Sequence, residues 1–125
     1  MLPKEYRLTK MKDFEILFKE GYFINDELFS AKVWKTNIEK YPKRNYNVED
    51  LKIGFVVGLK VSKSAVKRNR LKRQMREVVR IALKNKEFKK GFMIAIIAKP
   101  IALGVEYEKI EKGIMNILKK AKLLV

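Results

Sequence analysis

The sequence contains no cysteine and no histidine among its 125 residues. Without these side chains it can form no disulfide, and it offers no thiolate nucleophile, no imidazole base and none of the usual zinc ligands. Acidic residues are also few, and the spacing of Asp13, Asp26, Asp50 and Glu77 is not that of a metal site. The sequence therefore predicts no catalytic residues and no metal site in this chain.

Long hydrophobic runs are missing as well. The longest apolar stretch is residues 92–98, whereas a membrane-spanning helix needs about 20 apolar residues. Residues 1–7 lack the apolar core of a signal peptide. Together with the absence of thiols, these features predict a soluble cytoplasmic protein. The length and an apolar content of 47% predict a single domain, residues 1–125, with its own core.

Positive charge is what the sequence has in excess. Its 30 Lys and Arg against 14 Asp and Glu give a net charge of +16. A polyanion relieves self-repulsion on this scale, and nucleic acid is favoured over an anionic membrane surface. Residues 60–90 hold 13 basic residues and only two acidic ones, Glu77 and Glu87, for a net +11. Clustering of this kind indicates phosphate binding.

Hydrophobic periodicity predicts seven elements of secondary structure. Helices are predicted at 9–20, 64–85 and 106–123, and strands at 22–24, 28–36, 51–61 and 92–98, with a polar loop at 37–50. Thr9 is the predicted N-cap of the first helix and Gly21 its C-terminal glycine, and Asn25-Asp26 is predicted to form a tight turn. The order α-β-β-β-α-β-α predicts an α+β sandwich, with helices packed on a small sheet.

The helix predicted at 64–85 has one cationic side. At about 100° per residue, Leu71, Met75, Val78 and Ala82 share a narrow sector, which is the predicted core side. The polar and basic residues on and around the opposite side are Lys67, Arg68, Asn69, Arg70, Lys72, Arg73, Arg76 and Arg80. Solvated helix faces usually mix charge signs, and only Glu77 interrupts this one. The face therefore predicts contact with nucleic acid.

The segment from Ala65 to Arg76 resembles the signature of the bacterial ribonuclease P protein family. Its core is Arg68-Asn69-Arg70, which is followed by an aliphatic residue and then Lys-Arg, with Ala65 three residues ahead. The N-terminal region around Asp13-Phe14, the strand at 53–57 and the stretch 96–100 also resemble family patterns. The resemblance covers about residues 5–122, which is nearly the whole chain.

This resemblance implies a fold and a function that periodicity cannot show. The implied fold is a small mixed sheet with a left-handed βαβ crossover, an exception to the usual handedness, as in domain 2 of ribosomal protein S5. The implied function is that of the protein subunit of ribonuclease P, which binds the catalytic RNA and the 5′ leader of precursor tRNA. The subunit assists endonucleolytic removal of the leader. Magnesium would belong to the RNA partner, and neither DNA nor a membrane is an expected partner.

By the same resemblance, the basic residues at 67–76 face the catalytic RNA and a cleft between the sheet and this helix holds the leader. Phe14 and Phe18 match two aromatic positions of the family and are expected to stack on nucleotides; ordinary core positions are an equal alternative. Lys32 takes a strand position that is often aromatic in the family, and Trp34 on the same face is expected to stack instead. The expected cleft residues are Phe14, Phe18, Lys32, Trp34, Lys60 and Lys63.

Other classes remain open at this point. A ribosomal or other structural RNA-binding protein is equally basic and is the main alternative. A protein nuclease would need clustered carboxylates, which the sequence does not offer. A DNA-binding helix module fits less well, because the basic helix is anchored along its length rather than projecting.

The sequence departs from the family pattern at two places. Residues 60–64 hold one residue more than the family pattern and no Gly, and the loop at 37–50 is long for the family.

Overall fold

The computed structural model describes residues 2–125, so Met1 of the predicted domain lies outside the described residues. The predicted order α-β-β-β-α-β-α is confirmed. The main elements are α1 (Met11–Glu20), β1 (Tyr22–Asn25), β2 (Phe29–Lys35), β3 (Leu51–Val56), α2 (Ala65–Asn85), β4 (Phe92–Ala98) and α3 (Tyr107–Lys120). Short 3-10 helices occur at Lys4–Tyr6, Pro42–Arg44 and Pro100–Ala102.

The four strands form one mixed sheet in the order β1-β2-β4-β3. β1 and β2 form an antiparallel hairpin, β2 and β4 are antiparallel, and β3 and β4 are parallel. Helix α2 is therefore the connection of a βαβ crossover between two neighbouring parallel strands. β4 lies between β2 and β3, and its continuous apolar sequence is explained by burial on both faces.

Helices cover both faces of this sheet. Phe29, Ala31 and Val33 of β2 are fully buried in the larger core, against α2 and α3. On the other face Trp34 packs with Leu17 of α1 and other apolar residues in a second, smaller core. Both faces of β2 are therefore covered, one by the larger core and the other by α1, which lies across it.

Helix α1 begins two residues later than predicted. Its N-cap is Lys10 rather than Thr9, and no side chain caps it. Gly21 follows the helix in an extended conformation, with φ −76°, and not in the left-handed one. Glycine is needed there for space, since an added Cβ would lie 2.6 Å from the carbonyl oxygen of Leu17 and 2.9 Å from that of Val33.

The strand β3 ends at Val56, five residues before the predicted end. The apolar alternation continues in the sequence, but the backbone turns away from the sheet and Leu59 is exposed. Val61 returns to the larger core. Helix α2 then begins as predicted, because the Ser64 Oγ accepts a hydrogen bond from the Lys67 amide at 3.3 Å.

The hairpin between β1 and β2 turns through residues 26–28 rather than at Asn25-Asp26 alone. The Asp26 amide donates to the Phe29 carbonyl oxygen at 2.9 Å and closes this turn.

Within residues 2–125, none of the helices combines the length and the apolar character needed to cross a bilayer.

Candidate nucleic-acid interface

Helix α2 divides into the two sides predicted from its sequence. Leu71, Met75, Val78 and Ala82 are buried, and Val79, which the wheel did not single out, joins them. On the outer side Lys67, Asn69, Arg70 and Arg73 are exposed, whereas Arg68, Lys72 and Arg76 are half-buried. Burying the aliphatic side holds the helix against the sheet and directs the cations outward.

Six cations at the start of α2 have no carboxylate partner in the part of the chain that the structure describes. We call them the basic face: Lys67, Arg68, Arg70, Lys72, Arg73 and Arg76. The guanidinium of Arg68 donates only to the Ser62 carbonyl oxygen, at 3.0 Å. The Arg76 Nε lies 3.5 Å from the Lys72 carbonyl oxygen. No carboxylate of the described residues therefore neutralises these groups, and they are available to an anionic partner.

Arg80 differs from the other predicted RNA-binding residues. Its guanidinium donates two hydrogen bonds to the Glu77 carboxylate, at 3.0 and 2.5 Å. This contact holds the pKa of Glu77 below its ordinary value. The prediction that Arg80 binds RNA stays a prediction, but Arg80 adds no unpaired cation to this side of α2, because the Glu77–Arg80 pair has no net charge. The i,i+3 spacing of the two residues was the sequence signal for it.

Beside the basic face lies a cleft of about 300 Å³. Its walls come from the N-terminal segment, α1, β3 and α2, and the residues that line it are Leu2, Arg7, Leu8, Thr9, Phe14, Ile53, Gly54, Phe55, Lys72 and Arg76. Gly54 admits the Phe14 ring, since a Cβ there would lie 2.6 Å from the Phe14 Cζ. Glycine at this position of β3 permits a close approach, and the group that approaches is the Phe14 ring.

The two phenylalanines of α1 are partly exposed, so they are neither fully solvated nor ordinary core residues. Phe14 is half-buried in the cleft, and Phe18, one helical turn further on, is 39% exposed. The fully buried positions of this helix are instead Ile16 and Leu17. Both aromatic rings thus keep accessible surface on the side of the sheet that α1 covers.

Lys32 of β2 is half-buried, and its Nζ lies 6.0 Å from the ring centroid of Phe23. Phe23 is 58% exposed and was not predicted as a site residue. Its position in the predicted strand at 22–24 was the only feature of the sequence that pointed to it. In the structure Phe23 pairs with Lys32 across the hairpin. Lys60 and Lys63 are exposed between β3 and α2, but neither lines the cleft.

Trp34 does not offer an accessible ring. It is only 7% exposed, and the rings of Tyr41 and Tyr46 contact it edge-on, each with a centroid distance of 5.8 Å. These tyrosines belong to residues 37–50, which we call the docked loop. The expectation that Trp34 stacks on a nucleotide is corrected, because this loop and α1 enclose its indole.

The docked loop is bound to the end of α1 through Glu20. The Glu20 carboxylate accepts hydrogen bonds from the Lys40 Nζ at 2.7 Å and from the Tyr41 hydroxyl at 3.0 Å. These two hydrogen bonds hold the pKa of Glu20 below its ordinary value, and the bond from Lys40 has the larger effect. Burial and the bond to Glu20 raise the pKa of Tyr41.

A second attachment lies near the start of the same helix. The Asp13 Oδ1 accepts hydrogen bonds from the Arg44 Nη2 and from the Tyr46 hydroxyl, both at 2.7 Å. Burial and the neighbouring carboxylate raise the pKa of Tyr46. The predicted polar loop is therefore a folded part of the domain.

Carboxylates are dispersed over the rest of the surface. Within residues 2–125, no three Asp or Glu side chains gather in positions that could hold a metal ion. The fold and its surface thus define a class of protein: a small, strongly basic α+β domain that presents unpaired guanidinium groups beside an aromatic cleft.

Comparison with known proteins identifies the family. The family model described as "Ribonuclease P" matches residues 2–122. The ribonuclease P protein component of Pseudanabaena sp. is 34% identical, over 99% of this chain and 97% of that protein. That of Clostridium botulinum strain 657 is 32% identical, over 94% of this chain and 96% of that protein.

Solved structures agree with this result. The RNase P protein of Staphylococcus aureus superposes with a TM-score of 0.77 at 25% identity, covering 98% of this chain and all (100%) of that one. The RNase P protein of Thermotoga maritima gives a TM-score of 0.71 at 28% identity, covering 91% of this chain and 96% of that one. The chain belongs to the ribonuclease P protein family.

Proposed function

We propose that this chain is the protein subunit of a cytoplasmic ribonuclease P ribonucleoprotein. It binds the catalytic RNA and the 5′ leader of precursor tRNA, and so assists the endonucleolytic removal of the leader. The observation that carries this proposal is the basic face, six cations without a carboxylate partner among the described residues, set beside an aromatic cleft. Membership of the family supports the assignment of the RNA partner.

The two parts of the site suit two kinds of RNA. Arg68, Arg70 and Arg73 on the outside of α2 offer planar forks that match phosphate oxygens, which suits the surface of a folded RNA. In the cleft, Lys72 and Arg76 lie on the same walls as Phe14. A cationic wall with an aromatic ring binds the phosphates and bases of a single strand, such as the leader.

The chemistry itself belongs to the RNA in this proposal. The chain has no His or Cys to act as a base or nucleophile. Its described carboxylates do not gather into a set of metal ligands. The magnesium ions that hydrolysis requires would be held by the RNA, and the protein would raise the affinity of the holoenzyme for substrates that carry a leader.

Reconstitution tests the proposal directly. The protein is mixed with a bacterial ribonuclease P RNA and precursor tRNA at low magnesium, and leader removal is compared with that by the RNA alone and by the protein alone. We expect the protein to accelerate cleavage by the RNA and to cleave nothing by itself. Absence of any acceleration would refute the proposal. Copurification of ribosomal RNA from cells, in place of one discrete RNA, would favour a structural RNA-binding protein.

A further inference from the structure

We propose that Phe23 is an additional stacking site, which extends the path of the leader from the cleft across the sheet to the edge strand β1. The inference rests on the proposed function, because the leader is the single strand that would follow this path. Phe23 is one of the most exposed aromatic side chains of the chain, at 58%.

The register of the sheet connects Phe23 with the cleft. Gly54 of β3 pairs with Ala95 of β4, Ala95 pairs with Lys32 of β2, and Lys32 pairs with Phe23 of β1. Partners directly across a sheet point to the same face. The four residues therefore form one row on the α1 side, and three strand spacings of about 4.8 Å make it about 14 Å long. Ala95 is fully buried beneath α1, so the row gives the direction and distance from the cleft to Phe23, and the accessible surface along it is that of Phe18, Lys32 and Phe23.

Helix α1 runs along this row. Phe14 contacts Gly54 at the β3 edge of the sheet, and the helix ends before Gly21, where the chain enters β1 at the opposite edge. Phe18 lies one turn beyond Phe14, about 6 Å further along the helix axis. Phe14, Phe18 and Phe23 thus follow one another from β3 to β1.

The charge beside this row fits RNA rather than an apolar partner. The Lys32 Nζ lies 6.0 Å from the Phe23 ring centroid, and Lys32 has no carboxylate partner among residues 2–125. A base stacked on the ring would place its phosphate within reach of this ammonium group. At the opposite end of the row, Lys72 and Arg76 line the cleft around Phe14. Cations therefore accompany the rings at both edges of the sheet, as in sites for single strands.

The test measures binding of precursor tRNA to the reconstituted holoenzyme. With a long leader, Phe23→Ala should raise Kd about five- to ten-fold, the loss expected for one stacked base at about 1 to 1.4 kcal/mol. Phe23→Tyr keeps a ring and should restore affinity, whereas Phe23→Leu keeps only apolar surface and should not. Ile101→Ala is the matched control, since Ile101 is also 58% exposed but lies in the turn after β4, beside α3. Its Kd should equal that of the unchanged protein.

Leader length provides a second comparison. If the leader is shortened to one nucleotide, it cannot cover a row of about 14 Å, and Phe23→Ala should then have no effect. Circular dichroism and melting temperature establish that the variant is folded. An unchanged Kd for the long leader, in a holoenzyme that the protein does accelerate, would overturn this inference and leave the proposed function intact. A change in self-association at unchanged Kd would also overturn it, and would assign Phe23 to contacts between copies of the chain.

Discussion

Replacing Arg73 with Gln should change how steeply the affinity for ribonuclease P RNA falls with salt. Arg73 is exposed on α2 and has no carboxylate partner in the described chain. Each cation that neutralises a phosphate releases condensed counterions, so that log K falls linearly with log[salt]. Gln has a helix propensity close to that of Arg and removes the charge, so that the helix itself is preserved.

The size of the effect follows from the basic face. Each neutralised phosphate contributes about −0.7 for single strands and about −0.9 for a duplex to the slope of log K against log[salt]. Six cations, each neutralising one phosphate, therefore give a slope of about −4 to −5.5. The affinity of the unchanged protein should then fall about 300-fold or more between about 50 and 200 mM salt. Arg73→Gln should make the slope shallower by about 0.7 to 0.9.

Fluorescence anisotropy with labelled RNA at several salt concentrations measures these slopes. Lys112→Gln is the matched control, because it removes the same charge from exposed α3, where Lys112 lines a different groove. Its slope should stay within error of the unchanged protein. Glu77→Gln should act in the opposite direction, since it releases the Arg80 guanidinium and steepens the slope. If Lys112→Gln flattened the slope as much as Arg73→Gln, net charge rather than the basic face would govern binding, and the reasoning would be refuted.

Two further predictions concern the cleft and the docked loop. Gly54→Ala should lower the free energy of unfolding by about 1 to 3 kcal/mol in urea titrations, because the new Cβ would overlap the Phe14 ring. Gly58→Ala, where nothing lies within 4 Å of the added atom, should be neutral or slightly stabilising, and equal losses would contradict this account. The pKa of Glu20 lies below its ordinary value of 4.5, so its bonds to the loop are complete above that pH and are lost as pH falls through the lower folded value. The fluorescence of Trp34, the single tryptophan, should therefore change in acid. The Glu20→Gln variant should show the same change already at neutral pH. A variant spectrum identical to that of the unchanged protein at neutral pH would contradict the role of these contacts in docking the loop.

Much of the fold could be predicted from local patterns. The strand at 92–98 has its predicted limits because a continuous apolar run marks a strand buried on both faces. The core side of α2 follows from helical periodicity, and the helix starts close to its predicted limit, directly after the Ser64 N-cap. The resemblance to the family supplied the pairing of β3 with β4, which no local pattern specifies.

Features that depend on distant contacts could not be predicted. Trp34 is enclosed by Tyr41 and Tyr46, and nothing in the local sequence indicates that a polar loop packs its tyrosines against a strand. The early end of β3 could not be predicted either. The alternation of apolar residues continues to Leu59, but the backbone leaves the sheet after Val56 and Leu59 is exposed. The exposure of Phe23 likewise depends on how far α1 extends over the sheet, which is a property of the packed domain.

The two attachments of the docked loop also govern the orientation of the aromatic helix. Asp13 and Glu20 are seven residues apart, so at about 100° per residue they lie on nearly the same side of α1. The loop holds both, at Arg44 and Tyr46 near one end and at Lys40 and Tyr41 at the other. Rotation of the helix about its axis would break both sets of contacts together. A loop outside the cleft thereby fixes the angle at which the phenylalanine rings meet their ligand, and changes in its length or sequence would alter that angle without touching a ring.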